Sequence, residues 1–414
     1  MQDDTLTIST CGTKTKQINS LVNTRAIIMG LQFGKGKCVK MHIGKNHNSD
    51  LCGKGRVDYW EDKVVENEEG HCLLEDVYAG EVETETVDET KYLGSVISSD
   101  VKNDKNIKDK TNKAQGNVNK IVTSLKERPY GKFTFRAAQL MRNGMLIGAM
   151  LNNSETWVNV NKSDTDKLDK PDKHLSEKLF ETKCAKAFTY LEMGILPVKF
   201  VIMAKRLKFL KHILEESMDS LIRQVYETQK MESRKGDFVY LTKEDLKVVE
   251  LEIKETEIAK YSNKEWSRKV NEQVEKAALK ELLNENREKL KTKHLEYKFL
   301  EIQSYLKENK NTELSKVIFQ IRSGTFDIKA WKPWKYGDNL CVMCQLKEEN
   351  IYHFFKCESY KSETINYEDI YENNADLQVK VAKEAKKRQQ TREIKLQEVG
   401  QDSLPAPDAP DFYL

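Results

Sequence analysis

Four side chains that commonly bind metal ions lie close together near the C-terminal end of the sequence. Cys341, Cys344, His353 and Cys357 follow the spacing C-x2-C-x8-H-x3-C. Two thiolates on one turn, with an imidazole and a third thiolate one helical turn apart, can surround a single ion. Three sulfur donors and one nitrogen, with no position left for water, are typical of a structural tetrahedral zinc site. The pattern predicts zinc. The alternatives are chance spacing and a redox Cys-x-x-Cys pair, which would need neither His353 nor Cys357.

Aromatic and basic side chains surround these four ligands. The aromatic residues are Trp331, Trp334, Tyr336, Tyr352, Phe354, Phe355 and Tyr360. The interleaved lysines are Lys329, Lys332, Lys335 and Lys356. Aromatic rings in this position can form a small core around the ion, or some of them can stack on nucleic-acid bases. The sequence leaves both alternatives open.

A pair of adjacent carboxylates, Asp3 and Asp4, precedes the short alternating run Thr5–Ser9. Adjacent acids at the tip of a β-hairpin can share divalent cations, as nucleotidyl transfer by two metal ions requires. An isolated Asp-Asp pair is more often part of a solvated turn. The pair therefore carries a catalytic hypothesis only if its surroundings support one.

Composition limits the classes of protein that fit. The 414 residues are enough for about two to three domains of ordinary size. Charged residues make up 33% and hydrophobic residues 38%, and the mean hydropathy is −0.69, which argues against a membrane protein. The N-terminus carries acids where a secretory signal needs basic residues. Because the eight cysteines suggest no disulfide framework, we expect a reducing environment in the nucleus or cytoplasm.

The net charge of +3 hides a strong asymmetry along the chain. Asp58 to Asp100 holds fourteen acidic residues against two basic ones, whereas Val101 to Arg136 holds ten basic residues against three acidic ones. A further block from Lys199 to His212 contains no acid. Basic blocks attract polyanions, although many are simply solvated helix faces. Phosphate contacts are predicted in the last block at Lys199, Lys205, Arg206, Lys208 and Lys211.

Hydrophobic spacing predicts short strands in the first ~100 residues and helices after Lys102. Strands are expected at Thr5–Ser9, Cys38–Ile43 and Tyr92–Ile97, with a helix over residues 18–31. The acidic stretch before Tyr92 is predicted to be rich in turns.

The later part of the chain has several helix signals. One amphipathic helix is expected over Leu179–Leu191, ending near Gly194, and one or two more over Leu207–Val225. Capping-box patterns at Thr242–Asp245 and Ser262–Glu265 predict helix starts. Further helices are predicted over Glu265–Leu290, His294–Lys307 and Asp376–Glu398.

Several of these segments, taken in order, resemble the reverse transcriptases of non-LTR retrotransposons. Met1-Gln2-Asp3-Asp4 resembles the aromatic-x-Asp-Asp hairpin of the palm, with Met1 at the aromatic position. Gly34–Gly44 is similar to the next palm segment, and Lys37 is the closest match to a lysine near that active site. Tyr92-Leu93-Gly94-Ser95 resembles a short hairpin that contacts the primer.

The resemblance continues through the helical part to about Tyr360. Arg142–Leu146, Leu151–Trp157 and Glu192–Phe200 look like thumb and post-thumb helices of these elements. The Cys-Cys-His-Cys group lies where the family has its C-terminal zinc knuckle. Each segment is moderately specific, and the shared order of the segments makes the resemblance stronger than any one of them.

The resemblance implies an α+β fold in which short palm strands precede a mostly helical region. The expected divisions are a partial palm (1–100), a thumb-like helical region (101–240), long charged helices (241–325), a zinc module (326–362), and a basic helix with a disordered Pro-containing tail (363–414).

The implied activity is RNA-directed DNA polymerisation, with Asp3 and Asp4 as magnesium ligands in a complete enzyme. The implied partners are template RNA and target or primer DNA. In the family, the third carboxylate and the fingers precede the Asp-Asp hairpin, so we expect no polymerase activity from these 414 residues alone. One alternative is a zinc-dependent RNA- or DNA-binding module without catalysis. Another is an interaction protein built on the long Glu/Lys helices.

Overall fold

The computed structural model describes residues 21–22, 39–41, 56–66, 72–83, 85–100, 102–126, 134–158, 160–309, 311–363 and 365–398. The chain forms two compact units, Met1–Asp109 and Lys110–Leu414. The described residues are mostly helical and include small two-stranded antiparallel sheets, which is compatible with the predicted α+β class.

The first unit contains three two-stranded sheets. Their strands are β1 (Val39–Lys40), β2 (Arg56–Glu66), β3 (Cys72–Glu83), β4 (Glu85–Thr86), β5 (Glu89–Tyr92) and β6 (Ser95–Ser98). β1 pairs parallel with β4, β2 pairs antiparallel with β3, and β5 pairs antiparallel with β6. The strand predicted over Cys38–Ile43 is present at Val39–Lys40.

The sequence predicts an acidic stretch rich in turns, but its described residues are mostly strand. β2 and β3 form a long ladder from Arg56 opposite Glu83 to Glu66 opposite Cys72, with a register shift at Tyr59/Trp60. Valine and aromatic residues are frequent in β2, and both favour strands whatever the charge of their neighbours. The abundance of acids concealed this strand signal.

The single strand predicted over Tyr92–Ile97 is a hairpin instead. β5 and β6 pair with Tyr92 opposite Ser95, and Leu93 and Gly94 between them both have positive φ. Positive φ at both central residues is typical of a two-residue hairpin turn, whose backbone twist matches the right-handed twist of the flanking strands. Contact of this hairpin with a primer stays a prediction.

Helices account for most of the described residues of the second unit. The first, α1 (Asp104–Lys126), begins in the first unit. The others are α2 (Phe135–Met141), α3 (Gly148–Met150), α4 (Lys162–Phe180), α5 (Lys186–Met193), α6 (Val198–Glu215), α7 (Leu221–Glu232), α8 (Phe238–Val248), α9 (Glu255–Ile258), α10 (Asn263–Arg287), α11 (Ser304–Lys307), α12 (Thr312–Arg322), α13 (Pro333–Tyr336), α14 (Ile351–Lys356) and α15 (Ala375–Glu398). A π-helical segment, Arg142–Ile147, connects α2 to α3.

The helix predicted over Leu179–Leu191 is divided into α4 and α5. Phe180, the last residue of α4, stacks on Phe135 and Phe319, and Glu181 then turns the chain in the left-handed conformation. The predicted end at Gly194 is confirmed. Local spacing could not predict the break because it depends on packing against a distant phenylalanine.

The two capping-box predictions had different outcomes. At the start of α10, the Ser262 hydroxyl accepts a hydrogen bond from the Glu265 amide, and the Glu265 carboxylate accepts one from the Ser262 amide, as predicted. Thr242 and Asp245, in contrast, lie inside α8, which Asp237 caps. Leu207–Val225 forms two helices, α6 and α7, and the predicted basic helix over Asp376–Glu398 is α15.

The helix predicted over His294–Lys307 is limited to α11. Asn286 and Thr292 close a buried turn after α10 with two mutual hydrogen bonds. The chain then runs beside the end of α5, where the Gln303 amide donates to the Glu192 carbonyl. These contacts favour an extended segment over a helix.

The main core of the second unit lies between α6 and α10. Val270, Val274 and Ala278 repeat every four residues along α10 and are fully buried, and the Trp266 indole donates to the Leu207 carbonyl at 2.9 Å. Burying each large apolar side chain contributes about 1.5–3 kcal/mol to stability. No single helix among the described residues has the length and apolar character to span a membrane; α5 and α6, bent by 58°, reach those limits only as a pair.

Candidate metal centre

The two N-terminal ligands lie on a tight turn. Leu340 and Glu348 form an isolated antiparallel bridge, and the Cys341 amide donates to the Lys347 carbonyl at 2.7 Å. The Gln345 amide donates back to the Cys341 carbonyl at 2.9 Å, and Gln345 itself has a φ of 56°. This turn places the Cys341 and Cys344 side chains on the same side.

The other two ligands are held by α14. The Asn350 side chain caps this helix by accepting a hydrogen bond from the His353 amide at 2.8 Å. Cys357 follows the last helical residue, and its amide donates to the His353 carbonyl at 2.7 Å. Residues four apart on a helix share a face, so His353 and Cys357 point toward the cysteine turn.

The four donor atoms lie close enough together to surround one ion. All lie within 4.8 Å of one another. The Cys341 and Cys357 sulfurs are 3.8 Å apart, and the Cys344 sulfur is 3.3 Å from His353 Nε2. With zinc–sulfur bonds of about 2.3 Å, two sulfurs on a tetrahedral ion lie about 3.8 Å apart. A disulfide would need about 2.05 Å. The predicted group is therefore assembled with a geometry consistent with zinc.

The pKa values of Cys344 and His353 are shifted in the direction that favours metal binding. Burial raises the pKa of Cys341 to about 12. Burial also acts to raise the pKa of Cys344, but hydrogen bonds from the Leu346 and Lys347 amides outweigh it and lower the pKa. Burial, with the nearby Lys347 charge, lowers the pKa of His353 and favours the neutral imidazole that binds metal. A divalent cation is the charge that would compensate a buried thiolate at Cys341.

A buried carboxylate, Glu349, connects the cysteine turn to α15. It accepts hydrogen bonds from the Val342 amide at 3.0 Å, the Lys329 amide at 3.3 Å and the Arg392 guanidinium at 2.7 Å. Glu349 is 0% exposed and Arg392 1% exposed. The Arg392 guanidinium also lies over the Tyr336 ring. One ion pair therefore joins the cysteine turn to the C-terminal helix.

A second arginine holds α15 against α14. Arg388 donates to the Phe354 carbonyl at 2.8 Å and to the Glu363 carbonyl at 3.2 Å, and it pairs with Glu384 on its own helix. Arg388 therefore contacts residues on both sides of position 362, and the division predicted there stays a prediction. Sequence reasoning missed Glu349, Arg388 and Arg392, because charged residues in a basic stretch give no local sign of burial.

Several of the aromatic residues around the ligands belong to a small core, which is one of the two alternatives that the sequence left open. Phe354, Phe355 and Tyr360 are buried beside the ligands and form a small core. Tyr352 is 56% exposed. Among the lysines, Lys329 pairs with Asp338, Lys332 and Lys335 pair with Asp327, and Lys356 is exposed.

Two residues of the predicted phosphate-binding block are internal. Arg206 is buried and pairs with Asp245 at 2.7 Å while donating to the Trp157 carbonyl. Lys211 is 1% exposed and pairs with Glu215. The structure corrects the expectation of phosphate contacts at these two positions, because both side chains are buried and already paired with a carboxylate.

The other lysines of that block are partly accessible. Lys199 pairs with Glu281, and Lys205 contacts the Leu151 carbonyl and Glu155. Lys208 is half-buried, and burial together with the charge of Lys205 lowers its pKa. Phosphate contacts at these three lysines stay predictions. Asp3, Asp4, Lys37 and the strand predicted at Thr5–Ser9 lie outside the described residues, as does nearly all of the helix predicted over residues 18–31.

Comparison with protein-family models, with curated proteins and with solved structures gives no match for this chain.

Proposed function

We propose that this chain binds nucleic acid through a zinc-stabilised module, as expected of the C-terminal region of a non-LTR retrotransposon reverse transcriptase. The observation that carries the proposal is the Cys341–Cys344–His353–Cys357 group, whose donors lie within 4.8 Å of one another. Four protein ligands complete a tetrahedral zinc shell and leave no open position for a substrate. Such a centre supports a fold and does not catalyse a reaction.

Exposed groups beside this centre suit nucleic acid. Lys347, Lys356 and Tyr352 are exposed, and the Lys356 ammonium lies 6.0 Å from the centre of the Tyr352 ring. An exposed ring can stack on an unpaired base, while neighbouring ammonium groups contact phosphates. This combination favours nucleic acid as the partner.

The polymerase role rests on the ordered resemblance. We propose Asp3 and Asp4 as magnesium ligands of a complete RNA-directed DNA polymerase, with template RNA and target or primer DNA as partners. The zinc centre is equally expected of a binding module without catalysis, so it does not favour the polymerase role over that alternative. We expect no primer extension from these residues alone, and detectable extension by the purified chain would contradict that expectation.

The binding proposal is tested with Cys341→Ser/Cys344→Ser. We expect about one zinc per purified wild-type chain and none in the variant, because two of four ligands are lost. Affinity for RNA or DNA should fall by about tenfold or more, which is about 1.4 kcal/mol or more. Wild-type affinity should also decrease steeply with salt, because phosphate binding releases counterions.

Cys184→Ser is the matched control. Cys184 lies far along the sequence from the ligand group, and its sulfur hydrogen-bonds the Thr189 hydroxyl at 2.9 Å, a contact that serine can keep. The control should retain zinc and affinity. A wild-type protein without zinc, or with zinc but no salt-dependent binding to nucleic acid, would overturn the proposal.

A further inference from the structure

The C-terminal helix α15 has two chemically different faces. The buried face includes Gln378, Val381, Ala382, Ala385, Arg388 and Arg392. The exposed lysines are Lys380, Lys383, Lys386 and Lys387. At 100° per residue, these four lysines fall within an arc of about 120° on the side opposite the buried residues.

No exposed acid lies between Lys380 and Lys387, and the exposed Asp376 lies one helical turn before Lys380. Glu384 is the acidic residue within this stretch, and it is 7% exposed and pairs with Arg388 at 2.7 Å. Within the part of the chain that the structure describes, none of the four lysines forms an ion pair. Four uncompensated ammonium groups therefore lie along about 10 Å of helix.

Two arginines of α15 hold this lysine array firmly against the metal module, residues 326–362. Arg392 reaches Glu349 behind the cysteine turn, and Arg388 reaches the Phe354 carbonyl on α14. A helix anchored on its buried face presents its exposed charges without a further loss of backbone freedom on binding. The zinc centre thus has a direct structural connection to the lysine-bearing helix.

We propose that Lys380, Lys383, Lys386 and Lys387 form a surface that binds the phosphate backbone of duplex DNA, an inference that rests on the proposed nucleic-acid binding. Duplex DNA carries about one negative charge per 1.7 Å of its axis, so a rigid 10 Å array faces about six phosphates. The wide major groove of B-form DNA admits a helix surface, whereas that of A-form RNA is deep and narrow. Contacts to phosphate position the protein without reading sequence.

The test replaces all four lysines with glutamine, which has similar helix propensity. Binding to a 20-base-pair DNA duplex is measured by fluorescence anisotropy between 50 and 200 mM salt. Each phosphate contact contributes about 0.9 to the slope of log affinity against log salt concentration. We expect the variant's slope to be shallower by about 3–4 and its zinc content to be unchanged.

The matched control is Lys254→Gln/Lys260→Gln/Lys264→Gln/Lys276→Gln. These lysines are also exposed, and their removal changes the net charge by the same amount. The control should keep the wild-type slope. An equal reduction of the slope in both variants would mean that net charge, and not this helix face, determines binding, and would overturn the inference.

The outcomes separate the two proposals. A wild-type chain that binds no nucleic acid overturns the proposed function. A wild-type chain that binds duplex DNA while the α15 variant binds equally well overturns this inference alone. If the α15 substitutions weaken binding to single-stranded or duplex RNA but not to duplex DNA, the assignment of DNA as the partner is wrong.

Discussion

Glu349 shows how much of the candidate site depends on one residue that does not bind the metal. Its carboxylate is fully buried and accepts hydrogen bonds from the cysteine turn and from Arg392. Removing two charges from water is costly, and only close, well-directed contacts offset that cost. Loss of one partner should therefore be far more damaging than loss of an exposed ion pair.

At this scale we predict that Glu349→Ala lowers the free energy of unfolding by about 3–5 kcal/mol, because it leaves the Arg392 guanidinium buried without its carboxylate. Urea unfolding followed by circular dichroism measures the change. The double variant Glu349→Leu/Arg392→Met should be more stable than Glu349→Ala, because it removes the uncompensated charge.

Glu398→Ala is the comparison, on the helix that carries Arg392. Glu398 pairs with Lys395 at 2.9 Å, and its side chain is 58% exposed. Exposed pairs contribute less than about 1 kcal/mol. Similar losses for Glu349→Ala and Glu398→Ala would show that the buried pair has no special role.

At the scale of elements, the junction of α5 and α6 determines how the central helices meet. Glu192, near the end of α5, is fully buried and accepts hydrogen bonds from Tyr297, Tyr305 and Arg322. Gly194 ends the helix with a φ of +59°. The segment before α11 lies directly against this end, which leaves no room for a side chain.

We predict that Gly194→Ala destabilises the protein by about 2–4 kcal/mol, which thermal or urea unfolding can measure. The added Cβ would overlap the backbone of Ile302 and Glu301, and alanine disfavours positive φ. Backbone atoms at this junction cannot move as easily as the end of a flexible side chain.

Gly116→Ala provides the control. Gly116 lies inside α1 and is exposed, and a methyl group added at this position would meet no neighbouring atom within 4 Å. Alanine favours a helix interior over glycine, so stability should rise by about 0.5–1 kcal/mol. Destabilisation by both substitutions would contradict the steric explanation.

At the scale of the whole molecule, the second unit has two separate sources of stability. The buried members of the α6–α10 core lie between Phe200 and Ala278. The metal module is supported instead by α15, whose Arg392 pairs with Glu349 and whose Arg388 donates to the Phe354 carbonyl. Metal should therefore matter more for one part of the unit than for the other.

We predict that removing zinc with a chelator raises hydrogen exchange in residues 338–357 and in α15 by about tenfold or more. The ion would hold the cysteine turn and α14 together, and α15 packs against both. Exchange in α10 should change little. Hydrogen–deuterium exchange read by mass spectrometry measures both regions, and unchanged protection of α15 would contradict its dependence on the metal centre.

Local sequence signals predicted several features well. The four metal ligands lie within a short segment, so a turn and one helical turn suffice to bring them together. The capping box at Ser262 and Glu265 and the glycine end at Gly194 also depend on residues only a few positions apart. The α+β class followed from the change from alternating to helical spacing.

Only the tertiary structure decided which charges face solvent. Arg206 lies in a basic block, yet it is buried against Asp245, a partner 39 residues away. Arg392 lies in a basic helix, yet it pairs with Glu349 across 43 residues, whereas Lys380, Lys383, Lys386 and Lys387 stay exposed. The sequence by itself determined the ligand set and most helices because those depend on near neighbours. The fate of each charge depends on partners that only folding brings together.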